Sequence, residues 1–220
     1  MKFTPRALIF DLNGTMINDM EYHIRAWTEI LNDDLIAGLT NEQIKSQMYG
    51  KNSELLIRVF GKEKFTADEM EFWSVEKEKR YQKAYSPYLR LIDGLEDFLK
   101  KAYDKEIPMA IGSAAIPFNI DFVLDNLGIR KYFSAIVSAD DVTVSKPDPE
   151  TFLKASRLLN TDPSACIVFE DAPKGVETAN NAGIPCVVLT TLHTEKEFPA
   201  SEHIIKFIKD YTDPFIISLL

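Results

Sequence analysis

The sequence predicts an α/β fold: a doubly wound, Rossmann-like parallel sheet core with an inserted α-helical cap. Three observations carry that expectation. Short apolar runs recur along the chain without period-two alternation, as strands do when both faces of a sheet are covered. The later runs are separated by segments of helical spacing, and strand–helix–strand repetition implies parallel pairing through right-handed crossovers. Between about Ile17 and Ser86 this rhythm breaks, and no convincing strand run occurs there.

The strand runs are Ala7 to Phe10, Met109 to Gly112, Ala135 to Ser138, Cys166 to Phe169 and Cys186 to Leu189, with a short final one over His203 to Ile208. Phe118, Phe122, Val123 and Leu127 form one helical stripe ending at Gly128. Phe152, Leu153, Ser156 and Leu159 form a second. Val176, Ala179 and Ala182 form a third, ending at Gly183; glycine just past a helix is a usual C-terminal stop. Within the interrupting segment, Ile24, Trp27, Ile30 and Leu31 share one helical face, and Glu54 to Phe60 and Ala67 to Tyr81 also favour helix. Pro87 marks the return to the core, Ile92-Asp93-Gly94 opens the next core helix, and Asp213-Pro214 opens a last helix running through Leu220. The expected division is residues 1–16 and 87–220 for the core and 17–86 for the cap.

The 220 residues suffice for one domain with a sizeable insert. A formal net charge of -9 argues against nucleic acid and anionic membrane as general partners. The two cysteines, Cys166 and Cys186, lie inside apolar runs and read as buried small hydrophobes, not as a disulfide or zinc site. No apolar run is long enough to span a bilayer and none resembles a signal peptide, so a soluble cytoplasmic protein is expected.

Candidate chemistry sits where strands end. Asp11 follows Ala7 to Phe10. Ser113-Ala114 follows Met109 to Gly112. Lys146-Pro147 lies just beyond the Ala135 strand, and Glu170-Asp171 follows Cys166 to Phe169. In an open α/β sheet the carboxyl ends of neighbouring strands converge on one crevice. That crevice would hold a carboxylate, a hydroxyl with main-chain amides, an ammonium and a carboxylate pair. Phosphoryl transfer spreads charge over the equatorial oxygens, so its catalysis is mostly positioning and electrostatics. Mg²⁺ takes one or two carboxylates, a carbonyl and waters. Asp11 and Asp171 can supply carboxylates, position 13 a main-chain carbonyl, and Glu170 a further or water-mediated ligand. Lys146, Ser113 and the Ala114 amide can hold the phosphate, leaving Asp11 to attack phosphorus and form an aspartyl phosphate. Each feature alone has an ordinary alternative: a turn aspartate, a Lys-Pro loop, an N-cap serine, a solvated Glu-Asp pair. The four in this order are far more specific than any one.

With these motifs, Asp11-Leu12-Asn13-Gly14-Thr15, Gly112-Ser113-Ala114, Ser145-Lys146-Pro147-Asp148-Pro149 and Glu170-Asp171-Ala172-Pro173-Lys174-Gly175, the chain resembles the haloacid dehalogenase superfamily of phosphohydrolases over essentially its whole length. Glu21 to Trp27 and Asn41 to Lys45 are similar to the β-phosphoglucomutase branch, and within it to bacterial inorganic pyrophosphatases. The resemblance implies Asp11 as nucleophile and Mg²⁺ ligand, Ser113 and Lys146 as phosphoryl-binding residues, and Glu170 and Asp171 as holding the metal. It places Asn13 where the family has its Asp general acid/base. From the cap it offers His23, Gln47, Lys51, Asn52 and Lys79 as substrate contacts. His23 is equally readable as a polar residue at a helix start, and Lys79 as part of a solvated face.

Asn13 cannot donate or accept the proton a catalytic carboxyl exchanges, help worth about 10²- to 10⁴-fold. Metal and ligand binding should survive while turnover falls. With every other motif in place, the pattern is that of an Asp-to-Asn substitution in an otherwise intact enzyme. The expected activity is Mg²⁺-dependent hydrolysis of pyrophosphate, with phosphomutase or small sugar-phosphate phosphatase activity as alternatives. A non-catalytic phosphate-binding protein is the reading from another class. A small phosphorylated substrate and a monomer are expected.

Overall fold

The computed structural model describes residues 4–220. In chain order the elements are β1 (Ala7–Phe10), α1 (Met20–Thr28), α2 (Asn41–Ser46), α3 (Asn52–Phe60), α4 (Ala67–Tyr85), α5 (Leu95–Asp104), β2 (Met109–Gly112), α6 (Pro117–Asn126), β3 (Ala135–Val137), α7 (Glu150–Leu158), β4 (Cys166–Glu170), α8 (Pro173–Asn181), β5 (Cys186–Leu189), β6 (Ile204–Ile208) and α9 (Pro214–Ile217). The chain divides into two compact units. One runs from the start of the chain to Asn18 together with Arg90–Leu220; the other is Asp19–Leu89.

The first unit is built on a six-stranded sheet of order β3-β2-β1-β4-β5-β6, with every neighbouring pair parallel. The α/β class expected from the sequence is the one observed. Strands β1, β2, β4 and β5 are buried throughout, which is why their sequences are runs of apolar residues and not alternations. Alternate side chains still serve opposite faces. Ala7, Ile9, Ala110, Cys166, Val168, Cys186 and Val188 pack with Phe152 and Ala155 of α7 and with Val176 and Ala179 of α8. On the other face Phe10 stacks on Phe169 at 4.7 Å, and both rings meet Phe98 of α5 and Tyr211 edge-on or tilted. Each such aromatic pair adds about 0.5–1.5 kcal/mol beyond its buried area.

Pairing also fixes where the loops begin. Phe10 lies opposite Ile111 on one side and Phe169 on the other. Asp11, Gly112-Ser113 and Glu170-Asp171 therefore leave the sheet at the same edge, without any loop having to reach.

The second unit is all helical, as its missing strand runs predict. Trp27, Ile30, Leu31, Ile44, Leu55 and Leu56 form its core. Thr40 and Thr66 start α2 and α4 with capping boxes completed by Gln43 and Glu69. Helix α4 is very rich in Glu and Lys, yet Ser74, Lys77, Glu78, Tyr81 and Tyr85 are buried along one face at i, i+3 and i+4 spacing. Immediately after α1 the chain winds as a π-helix over Glu29–Asp34, which apolar spacing alone does not predict.

One expectation is corrected. The final helix does not run through Leu220 but ends at Ile217. The amides of Ser218, Leu219 and Leu220 reach back three residues, to Phe215, Ile216 and Ile217, so the chain tightens into a turn instead of continuing an α-helix.

Candidate active site

Three of the residues singled out in the sequence form one buried ion-paired network at the carboxyl ends of β1 and β4, with Asp171 beside it. The Lys146 ammonium donates to Asp11 Oδ1 and to Glu170 Oε1, each at 2.8 Å. Lys146 is delivered by the loop before α7, through a cis peptide bond to Pro147, and its ammonium also lies 4.5 Å from the Phe152 ring centre. Burial alone would lower the Lys146 pKa. The facing charges of Asp11 and Glu170, with their hydrogen bonds, outweigh it and hold Lys146 above its ordinary value. The ammonium is thus fixed in its charged form.

Glu170 and Asp171 play different parts. Glu170 Oε2 accepts from the backbone amides of Asp171 and Ala172, both at 2.7 Å, so both its oxygens are engaged at the start of α8. Gly175 makes room for it: a Cβ there would lie 1.6 Å from Glu170 Oε1. Asp171 accepts from the Thr15 hydroxyl at 3.0 Å through Oδ1, and its Oδ2 would lie 2.0 Å from a Cβ on Gly14. Gly14 also has φ +79°, open to glycine and strained for other residues.

The turn carrying Asn13 is braced from outside. Main-chain bonds join Gly14 N to Ile17 O and Met16 N to Leu12 O. The Thr191 hydroxyl donates to Gly14 O at 2.7 Å and the Tyr211 hydroxyl to Thr15 O at 3.1 Å. From the sequence alone, Thr15 has no role beyond closing the Asp11-to-Thr15 motif, and Thr191 and Tyr211 are not singled out. Ser113 is buried, and its Oγ accepts from Ala115 N at 3.1 Å, which shapes the turn that presents the Ala114 segment.

The set suits a hard divalent cation. Asp11, Glu170 and Asp171 bring three carboxylates against one ammonium, and all possible donors are oxygens. Burial, then the charges of Glu170 and Asp11, push the Asp171 carboxyl well above the usual carboxylate range. That is the electrostatic strain an added cation relieves. Among the described residues no three His, Cys, Asp or Glu side chains form a ready-made metal cage. A cation here would therefore draw on Asp11, Asp171, the main-chain carbonyl of residue 13 and waters, with Glu170 serving mainly Lys146 and the α8 amides.

In the helical unit the proposed cap residues separate. His23 is buried against Asp19 and Lys77. Asn52 donates to Glu78. Gln47 accepts from Arg58 through both its side chain and its main chain. Lys51 is the N-cap residue of α3. Lys79 is exposed, and it is Lys77, two residues earlier, that α4 buries.

The site is thus three buried carboxylates grouped around one fixed lysine at the carboxyl edge of a parallel sheet. Residues 8–189 match the family model for haloacid dehalogenase-like hydrolases, and the chain belongs to that family. It is 31% identical over 184 residues to the beta-phosphoglucomutase of Bacillus subtilis, covering 81% of this chain and 80% of that protein. It is 29% identical over 186 residues to a fructose-1-phosphate phosphatase of Escherichia coli, covering 82% and 94%. Among solved structures, beta-phosphoglucomutase from Clostridium difficile matches with a TM-score of 0.80 at 26% identity, covering 94% of this chain and 92% of the other.

Proposed function

We propose that this chain is a Mg²⁺-dependent phosphohydrolase that works on a small phosphorylated substrate through an aspartyl phosphate on Asp11. The observation that carries the proposal is the Lys146 bridge to Asp11 and Glu170, 2.8 Å on each side, beside the strained carboxylate of Asp171. Asp11 and Asp171 are the side chains that would hold the cation, with the carbonyl of Asn13. Bound there, Mg²⁺ supplies positive charge that screens an incoming phosphate from the carboxylates and polarises the phosphoryl oxygens.

This chain's own residues do the rest. Lys146 and Ser113 hold the transferring phosphoryl group. The Asp11 carboxylate attacks phosphorus, and the bond to the leaving oxygen breaks. Asn13 has no proton to give, so the leaving oxygen must take one from solvent or depart as an anion. Water then attacks the aspartyl phosphate, again without a carboxylate base at position 13, releasing phosphate and restoring Asp11. Both steps are slowed, the first least for leaving groups that are stable as anions.

As to substrate, the relatives named for fructose 1-phosphate and for phosphoglucose chemistry favour a sugar phosphate. Pyrophosphate, favoured by resemblance of the motifs, would use the same core residues. A mutase is the second possibility, on the likeness to the Bacillus enzyme. The test is Asn13→Asp, assayed for phosphate release and for hexose-phosphate isomerisation with and without Mg²⁺. The expected gain in phosphate release is about 10²- to 10⁴-fold. No gain on any substrate would remove Asn13 from the chemistry, and isomerisation without phosphate release would make the protein a mutase.

A further inference from the structure

Asp171 rests on two residues that are themselves held from behind. Gly14 lies against Asp171 Oδ2, where a Cβ would come within 2.0 Å. The Thr15 hydroxyl donates to Asp171 Oδ1 at 3.0 Å. Thr15 and Asp171 are both buried, so the place of the carboxylate is set by the place of the Gly14–Thr15 turn.

Tyr211 fixes that turn at Thr15. Its hydroxyl donates to Thr15 O at 3.1 Å. A carbonyl only accepts, so the phenol proton points at the turn. Burial, then the charges of Asp171 and Asp11, raise the Tyr211 pKa well above its ordinary value, so the donor stays protonated. Tyr211 is firmly mounted. Its amide donates to Asp93 O at 2.9 Å, and next to Asp93 the amide of Ile92 donates to Met16 O at 2.9 Å. Its backbone passes so close to Gly94 that a Cβ there would lie 2.6 Å from Tyr211 C. Its ring lies 6.0 Å from that of Phe98 and 5.6 Å from that of Phe169. Those neighbours are phenylalanines, and a phenylalanine at 211 would pack among them equally well. Packing therefore accounts for the ring and not for the hydroxyl, whose partner is the turn under Asp171. At the adjacent carbonyl, Gly14 O, the Thr191 hydroxyl donates at 2.7 Å.

We infer that Tyr211 is a positioning residue: acting through Thr15, with Thr191 beside it on Gly14, it holds Asp171 where a divalent cation would bind. The inference deepens the phosphohydrolase reading and rests on it. Every residue in it belongs to the sheet unit.

The experiment measures Mn²⁺ affinity by electron paramagnetic resonance, without substrate, in the unaltered chain, Tyr211→Phe, Thr15→Val and the double variant. Tyr211→Phe keeps the ring and removes the donor. Losing one hydrogen bond between neutral groups predicts Mn²⁺ binding about 2- to 10-fold weaker. Because Tyr211 acts through Thr15, the same substitution in the Thr15→Val background should change affinity by less than about twofold. Ser156→Ala, which removes a buried hydroxyl bonded within α7 to Leu153 O, should leave Mn²⁺ affinity unchanged. Unchanged affinity in Tyr211→Phe, an equal loss in Ser156→Ala, or additive losses in the double variant overturns the inference. If melting shows that Tyr211→Phe does not fold, Thr191→Val replaces it: weaker Mn²⁺ binding supports the inference and unchanged binding overturns it. Phosphate release from a hexose monophosphate is titrated with Mg²⁺ in parallel. Tyr211→Phe should need about 2- to 10-fold more Mg²⁺ for half its maximal rate, with the rate at saturating Mg²⁺ within about twofold. If Mn²⁺ binds but neither the unaltered chain nor Asn13→Asp releases phosphate, the phosphohydrolase reading fails while the affinities still decide the role of Tyr211. An unaltered chain that binds no Mn²⁺ overturns the inference.

Discussion

At the scale of single residues, the site depends on neighbours that do no chemistry. Thr15 is the clearest case. Its hydroxyl is the partner of Asp171 Oδ1 in a fully buried place. Thr15→Val keeps the shape and removes the donor, and should cost about 1–3 kcal/mol of folding stability, read by urea denaturation. It should also weaken binding of Mn²⁺, used as a spectroscopic stand-in for Mg²⁺, which a purely structural loss would leave unchanged. Gly175→Ala drives a methyl into Glu170. Since that carboxylate is fixed by two backbone amides and Lys146, it cannot swing away freely. A loss of about 1–3 kcal/mol is expected from overpacking alone, with weaker inorganic phosphate binding as Lys146 is displaced. Unchanged phosphate affinity in a folded Gly175→Ala protein would show that Glu170 does not position Lys146.

Residues of this kind mark the limit of what sequence conveys. Asp11, Glu170 and Asp171 are legible because each follows or closes an apolar run, and the end of a buried strand is where a charge is shared between neighbours; Lys146, in the loop before α7, is legible through its Lys-Pro motif and not through a strand end. Tyr211 and Thr191 have no such signature. One is a tyrosine in a polar turn and the other a threonine among threonines. Each acquires a role only when the fold brings its hydroxyl to a main-chain carbonyl of the Gly14–Thr15 turn. Lys77 and Glu78 are hidden differently, because a single strip of a charged helix is buried and composition cannot say which strip.

At the scale of elements, strands proved easier to read than helix ends. The apolar runs locate β1, β2, β4 and β5 because burial on both faces leaves little choice of residue, while β3 and β6, which are only partly buried, still show as short apolar runs. Helix ends depend on hydrogen bonds that hydropathy does not encode, hence the early stop of α9 and the π-helical continuation of α1. The two cysteines belong at this scale, because they are strand residues. Burial, with the Asp162 charge adding to it, pushes the Cys166 thiol up to about 11. Burial, with Glu170 adding, raises Cys186 well above its usual range. A thiol with raised pKa stays protonated and unreactive until the pH approaches that value. Native protein at pH 8 should therefore resist alkylation at both positions, and both should react once it is unfolded. Mass spectrometry of the two states is the check, and rapid native alkylation would contradict the buried placement.

At the scale of the whole molecule, an acidic chain of net charge -9 is proposed to bind anionic phosphates. The contradiction is resolved locally: one lysine is fixed in its charged form among carboxylates that a divalent cation would further offset. No helix among the described residues is long and apolar enough to cross a membrane. The family is shown by similarity over most of the chain, and under the proposed function Asn13 would affect rate more than binding. The most direct measurement uses acetyl phosphate, whose leaving group needs no protonation, with Mg²⁺, an acid quench and peptide mapping by mass spectrometry. The phosphoryl group should be found on Asp11, accumulating because its hydrolysis lacks a base, and should disappear in Asp11→Asn. Phosphate release that continues in Asp11→Asn, with no phosphoryl group on the Asp11 peptide of the unaltered chain, would contradict the nucleophilic role on which the account depends.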